Sequence, residues 1–162
     1  MKLIKKRGDI SLSFGFIFSV ILIAIIAATA FYAIRYFINL SKCTQISLFH
    51  KEFQDEVDAV WNSEIASDNF AGNLPGAIKS VCFKDGNFQG SGREYEELKD
   101  YFSAGGNMFL YPPENSCQQA SRKAQHVDLS GLNWHCFQVK DGKVAIKLEK
   151  NSDDALVRVK RS

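Results

Sequence analysis

A predominantly apolar stretch from Ile10 to Ile38 constrains this chain more than any other feature. It carries no charged residue before Arg35, and its core, residues 14–34, is 21 residues long. At about 1.5 Å of rise per residue, a helix of that length spans roughly 30 Å, the thickness of a bilayer hydrocarbon core. The stretch therefore predicts a transmembrane helix over residues 10–38.

Two other structures would give a similar stretch. A cleaved secretory signal has an apolar run of about 7–15 residues and a small-x-small cleavage site. The run here is longer, although the AATA of residues 27–30 imitates such a site. A buried helix of a soluble domain needs apolar surroundings that the rest of the chain does not supply. We favour a retained membrane helix.

The charged residues divide at the apolar stretch. Residues 1–42 hold six of the 20 Lys and Arg but only one acid, Asp9, so the following 120 residues carry 14 basic and 17 acidic side chains, a net charge of −3. This balance gives no indication of nucleic-acid binding. Four basic residues lie before the helix, within residues 2–7. The positive-inside rule therefore predicts a single-pass protein of the cell membrane, with a basic cytoplasmic leader (residues 1–9) and residues 43–162 outside.

The junction before the helix reads KKRGDISLSF, in which Gly8 follows the basic residues and precedes Asp9. This order resembles the class III (prepilin-type) signal of archaeal type IV pilin-like proteins. In that family a membrane peptidase cuts after the glycine and the apolar helix stays on the mature chain. The resemblance thus implies a processing site between Gly8 and Asp9. The alternative is a plain amino-terminal anchor in which Gly8 has no role.

The resemblance has one departure. Many type IV pilins carry a glutamate at the fifth mature position, where it pairs with the amino terminus of a neighbouring subunit. Ser13 stands at that position here. The resemblance therefore does not imply filament assembly through that glutamate.

The pattern beyond the apolar stretch predicts an amphipathic helix in residues 39–66. Its apolar residues recur every three or four positions, which places them on one helical face. They are Ile46, Phe49, Phe53, Val57 and Val60. Charged residues take the opposite face, and we expect His50 to lie there, solvated. A helix that continues the membrane helix in this way is the layout of pilin-like proteins.

Residues 67–162 change to strand-like patterns, which predict an extracytoplasmic β-rich domain. Turn-forming residues fill 67–76 (SDNFAGNLPG), and short strands are predicted at 78–83 and 107–111. A short helix is predicted between them, at residues 93–102. The predicted fold class is α+β: a long transmembrane helix continues into an amphipathic helix that packs on a small antiparallel sheet.

The clearest strand signal lies near the carboxyl end. Two alternating runs, residues 134–140 and 143–149, flank Asp141-Gly142. Both turn residues tolerate the positive φ of a type I′ turn, so the runs are predicted to form a β-hairpin. Shorter strands are predicted at residues 126–129 and 155–160.

All four cysteines lie beyond the apolar stretch, at Cys43, Cys82, Cys117 and Cys136. An even number confined to the predicted outside is typical of an oxidised domain, so we expect two disulfides, with three connectivities open. The alternative is a zinc site built from Cys117, His126, His135 and Cys136. Adjacent residues on a strand point to opposite faces, which argues against a shared centre.

No motif in the sequence indicates catalysis or a cofactor. The acidic group near residues 94–100 lacks calcium-loop spacing, and the Gly-rich residues 86–92 lack the lysine of a phosphate loop. We therefore expect a protein that is not an enzyme, has no cofactor or metal, and has membrane lipid and other proteins as partners through its transmembrane helix. The resemblance implies a pilin-like structural or adhesive component of the cell surface. The alternative is a membrane-tethered binding or accessory module of the envelope.

Overall fold

One long helix, α1 (Phe14–Trp61), opens the part of the chain that the structure describes, residues 14–86 and 88–161 of a computed structural model. The predicted continuation of the apolar helix into an amphipathic helix is thus confirmed, since both belong to α1. Gly8, Asp9 and Ser13 lie outside the described residues.

The chain divides into two compact units, with the boundary between Asn39 and Leu40. In the first unit, every described side chain is exposed except the partly buried Ala33. Among the described residues, α1 is the one helix long and apolar enough to cross a membrane. Its apolar part is what the sequence predicts as the membrane anchor.

In the second unit, α1 buries the apolar stripe that its sequence predicts. Ile46, Phe49, Phe53 and Val57 are completely buried and Val60 nearly so. Burial of such a side chain contributes about 1.5–3 kcal/mol, so the stripe dominates the attachment of the helix to its domain. The helix ends at Trp61, where Lys150 Nζ donates hydrogen bonds to the carbonyls of Trp61 and Ser63 at 2.6 and 2.8 Å. The lysine satisfies carbonyls that the end of a helix leaves without partners.

The strands form two four-stranded sheets. The first sheet contains β1 (Ala66–Asn73), β5 (Val127–Asp128), β7 (Lys143–Lys150) and β8 (Val157–Lys160), in the order β1-β7-β8-β5. The second contains β2 (Ser80–Lys84), β3 (Met108–Tyr111), β4 (Ser121–Arg122) and β6 (Trp134–Gln138), in the order β4-β3-β2-β6. All neighbours are antiparallel except β5 and β8. The predicted α+β class is confirmed.

The main core joins α1 to both sheets through Phe53. Its ring centroid lies 5.3 Å from that of Phe70 in the first sheet and 5.6 Å from that of Phe83 in the second. Other core side chains come from alternate positions of the strands. They are Val144, Ile146, Leu148, Val157 and Val159 from the first sheet, and Val81, Met108, Leu110 and Phe137 from the second.

The second sheet is covered on its other face as well. A short helix, α2 (Arg93–Leu98), and a 3-10 helix (Lys99–Ala104) pack there. Their side chains meet those of the sheet in a second apolar cluster around Leu98, Phe102 and Phe109. Two-sided coverage explains why β2 and β3 are buried along nearly their whole length, as the central strands of covered sheets are.

The predicted hairpin is wrong beyond its turn. Asp141 and Gly142 have the positive φ of 50° and 73° that a type I′ turn needs, and Lys140 bridges to Lys143. Past this bridge, however, β6 pairs with β2 and β7 pairs with β1 and β8. The reason is burial: β6 has covered side chains on both faces, whereas β7 alternates buried and exposed positions. The two strands therefore belong to different sheets.

The expected turn segment is also wrong for residues 67–73, which form most of β1. Its Phe70 and Gly72 face the core, and the strand pairs with β7 along eight residues. Tertiary pairing with a strong strand outweighs the weak β propensity of Asn, Asp and Gly. The turn itself comes later, at Gly76 and Ala77.

Substitution of Gly72 by alanine should destabilise the domain by about 1–3 kcal/mol, because an added methyl group overpacks the core. A Cβ at Gly72 would lie 2.5 Å from the Phe49 ring and 2.7 Å from the Phe70 ring. Gly76→Ala is the matched control, since a Cβ there meets nothing within 4 Å. Urea unfolding of both variants measures the difference, and equal stabilities would contradict this account of β1.

Candidate functional site

The four cysteines form two disulfides that tie distant parts of the second unit together. Cys43 on α1 bonds to Cys117, which follows β3, and Cys82 on β2 bonds to Cys136 on β6. The sequence left three connectivities open. The structure has the one in which the two bonds alternate along the chain, the first cysteine with the third and the second with the fourth. Both cysteines of the alternative zinc set are therefore in disulfide bonds. Within the described residues, no group of three or more metal-ligating side chains is present.

Each disulfide closes a long stretch of chain. The sequence separations are 74 residues for Cys43–Cys117 and 54 for Cys82–Cys136. On the chain-entropy model, loops of this size give an upper limit of about 4 kcal/mol for each bond. The Cys82–Cys136 bond also joins residues that face each other across the β2–β6 pair, so it fixes the register of the second sheet.

Loss of the Cys43–Cys117 bond should lower the free energy of unfolding by up to about 4 kcal/mol. The unfolded chain regains the conformational entropy that the bond removes when it links two residues 74 positions apart. Cys43→Ser with Cys117→Ser tests this in urea unfolding of the full chain in detergent. As a control, non-reducing peptide mapping of the unaltered chain should identify the two disulfides described, Cys43–Cys117 and Cys82–Cys136. Any other pairing in the map would refute the connectivity.

His50 is buried, so the expectation that it is solvated is wrong. His50 is 4% exposed to solvent. Gln119 and residues 122–125 pack over that side of α1. Its Nε2 lies 3.4 Å from the Gln119 carbonyl oxygen, and its Nδ1 has no partner among the described residues. Burial lowers the pKa of His50 from 6.5 to about 4, and nearby Arg122 acts in the same direction. The imidazole is therefore neutral at pH 7.

Acidification should weaken the fold through His50. Because the pKa is lower in the folded state, the unfolded chain takes up the proton first, and stability falls as the pH drops from about 6.5 to about 4. The full shift corresponds to about 3 kcal/mol. In pH-dependent urea unfolding, His50→Gln should remove this loss, whereas the control His135→Gln should keep most of it. Parallel profiles for wild type and His50→Gln would contradict the assignment.

A second histidine joins the end of α1 to the strands. His126 Nδ1 lies 2.8 Å from Asp58 Oδ1, and the imidazole stacks on the Trp61 indole with ring centroids 3.8 Å apart. The hydrogen bond from His126 is the main cause that lowers the pKa of Asp58. An acid–imidazole pair also supplies two of the three members of a hydrolytic triad. Here the described contacts of the His126 ring include no hydroxyl or thiol, and the pair holds the helix end against β5.

The divergence of β6 and β7 leaves a groove between the two sheets. Its volume is about 550 Å³. One wall is the edge of β6, with His135 and Phe137, and the other is the outer surface of the first sheet, with Ala71 and Ala145. We refer to this space as the β6 groove. Sequence reasoning missed it because the predicted hairpin would have filled it.

The β6 groove exposes backbone groups that have no strand beside them. Among the described strands, β6 pairs only with β2. Val139 N donates to the Lys79 carbonyl at 2.8 Å, so the odd-numbered residues of β6 direct their backbone groups toward β2. In an antiparallel pair, alternate residues point the opposite way. The N–H and C=O groups of Trp134, Cys136 and Gln138 therefore face the groove side of the edge.

The groove is basic at its rim. Lys140 and Lys143 line it and are exposed, no acidic side chain lines it, and the structure places no carboxylate within 4.0 Å of either ammonium group in its described residues. Burial lowers the pKa of His135, and the charge of Arg161 lowers it further. Within the described residues, the groove thus combines apolar walls, a strand edge with no strand beside it and two lysines without ion pairs.

A second cleft, of about 540 Å³, lies beside β8. It is lined by Asp128, Arg158 and Lys160 among others. Three of its four charged side chains already have partners of opposite charge. Arg158 pairs with Asp128 and Asp154, and Lys160 Nζ lies 4.0 Å from Glu149 Oε2, so only Arg161 has no such partner among the described residues. The β6 groove is therefore the stronger candidate binding site.

No protein-family model, no curated protein and no solved structure matches this chain. The function is accordingly argued from the helix, the disulfides and the β6 groove.

Proposed function

We propose that the protein is a single-pass, membrane-anchored, pilin-like component of the cell surface with a structural or adhesive role. The observation that carries the proposal is the change in α1 along its length. Apolar side chains such as Phe16 and Ile23 are exposed in the first unit, whereas the stripe from Ile46 is buried in a disulfide-bonded domain. An apolar surface that large needs lipid or protein to cover it.

The proposed orientation has a cytoplasmic amino terminus and the domain outside. Two independent features support it. The four basic residues before the helix favour the cytoplasmic side. The two disulfides favour an oxidising compartment for the domain, since the cytosol keeps thiols reduced.

The chemistry of the described side chains supports the proposal of a non-catalytic role. The acid–imidazole pair Asp58–His126 is occupied in stacking on Trp61, and the cysteines are oxidised. Two acidic residues of α2 are exposed and engage neighbouring bases: Glu97 pairs with Arg93 at 2.7 Å and Glu96 with Lys99 at 3.8 Å. These arrangements support structure and binding more than group transfer.

The mature protein should begin at Asp9 if the amino-terminal signal is processed as in pilin-like proteins. Intact-mass measurement and amino-terminal sequencing of the chain purified from native membranes test this. Gly8→Val should block the cut, because the branched side chain obstructs the peptidase, and should leave residues 1–8 on the chain. Gly15→Val is the matched control and should be processed normally.

The outcomes separate the two parts of the proposal. A chain that begins at Met1 but stays with the membrane after alkaline extraction would refute the pilin-like part and keep the anchor. A soluble chain that begins after residue 30 would refute the anchor and favour signal cleavage.

The second candidate function is a membrane-tethered binding module of the envelope. The β6 groove is the observation that favours it, because it offers unpaired backbone groups and lysines without ion pairs at one place. A monomeric state in detergent together with occupation of the groove would distinguish this function from filament assembly.

A further inference from the structure

We propose that the β6 groove binds an extended segment of a partner protein, in which acidic and apolar residues alternate, as a fifth strand of the second sheet. The inference rests on the second candidate function, the binding module, and names its partner. Strand addition of this kind draws affinity from main-chain hydrogen bonds and specificity from alternate side chains.

The backbone of β6 provides the first half of the argument. The outward N–H and C=O groups of Trp134, Cys136 and Gln138 repeat along five residues of a strand that is fixed on its other side. The Cys82–Cys136 bond holds that edge in register. Five residues of an added strand span about 17 Å, which matches the length of β6.

The groove walls provide the second half. Ala71 and Ala145 present exposed apolar surface, whereas Lys140 and Lys143 stand at the rim. An added strand directs successive side chains to opposite faces. Apolar side chains at every second position would therefore contact the walls, and acidic ones between them would reach the lysines. Lysines that lack ion pairs favour acidic ligands and accelerate their association.

A second copy of this chain fits the groove less well than a foreign segment. The longest edge strand of the described sheets is β1, which reads ASDNFAGN and contains one acid, Asp68. The other edge of the first sheet, β5, has two residues. Neither offers alternating acidic and apolar side chains. The edge strands of the second sheet, β4 (Ser121–Arg122) and β6 itself (WHCFQ), contain no acid, so the partner is inferred to be a different protein.

The test appends the strand to the full chain so that weak binding is still detected. A 12-residue Gly-Ser linker after Ser162 spans roughly 19 Å. It presents a Glu-Val-Glu-Val-Glu segment, attached after the linker, to the groove at a millimolar effective concentration. The carboxyl end is suitable because β8 ends at Lys160, which pairs with Lys147 of β7, the strand whose first residues line the groove. Hydrogen exchange of the Cys136 and Gln138 amides, followed by NMR in detergent micelles, should slow at least tenfold relative to the linker alone.

Three controls decide the outcome. The Phe137 amide, which faces β2, should not change. A Lys-Val-Lys-Val-Lys segment should protect weakly, and the Lys140→Glu/Lys143→Glu variant should reverse this preference. Unchanged exchange with the acidic segment, or equal protection by both segments, would overturn the proposal. Protection that rises with protein concentration in the absence of any segment would assign the groove to a second copy and overturn the partner.

These outcomes are independent of the anchor and of the mature amino terminus, which are measured on the unmodified chain. Failure of the groove proposal thus leaves the pilin-like proposal standing. Processing at Gly8 can likewise fail while the groove binds its strand.

Discussion

The contact of Phe53 with both sheets is the interaction on which the domain depends. A sheet must bury its apolar face against another layer, and here neither sheet closes its own core. The helix supplies what each lacks: Phe53 packs edge-on to Phe70 at an angle of 78° and is tilted against Phe83, while Phe49 adds a second contact to Phe70. Without the helix, the two sheets would have no common core.

The position of the β6 groove follows from the same contact. Phe137 must reach the core beside Phe83, whose ring it meets edge-on, while Val144 and Ile146 must reach it from the first sheet. A flat hairpin of β6 and β7 would bury only one such set. The strands therefore separate beyond the Lys140–Lys143 bridge. The edge of β6 has no neighbouring strand among the described residues because the two arms of this turn enter different sheets.

The local signals in the sequence were sufficient for the parts of the fold that local patterns determine. The periodic apolar residues of α1, the α+β class and the positive-φ turn at Asp141-Gly142 all agree with the structure. The errors concern partners that are distant in sequence. The helical pattern places His50 on the polar face, but Gln119, which lies 69 positions later, covers it. The composition of β1 predicts a turn, but its pairing with β7 makes it a strand.

The candidate site was less accessible to sequence reasoning than the fold. The four cysteines were recognisable as a set, but their pairing depends on which strands are neighbours. The β6 groove had no sequence signal, because its lysines and apolar walls come from segments that look like the two arms of one hairpin. Only the assignment of those arms to different sheets brings Ala71 and Phe137 to the same groove.

The interleaved disulfides also determine what a protease could do to this protein at the membrane. Cys43 and Cys82 precede the exposed loop at residues 88–92, whereas Cys117 and Cys136 follow it. A cut in that loop would therefore be crossed by both covalent bonds. The carboxyl-terminal fragment, with every strand from β3 to β8, would stay attached to the helix instead of being released.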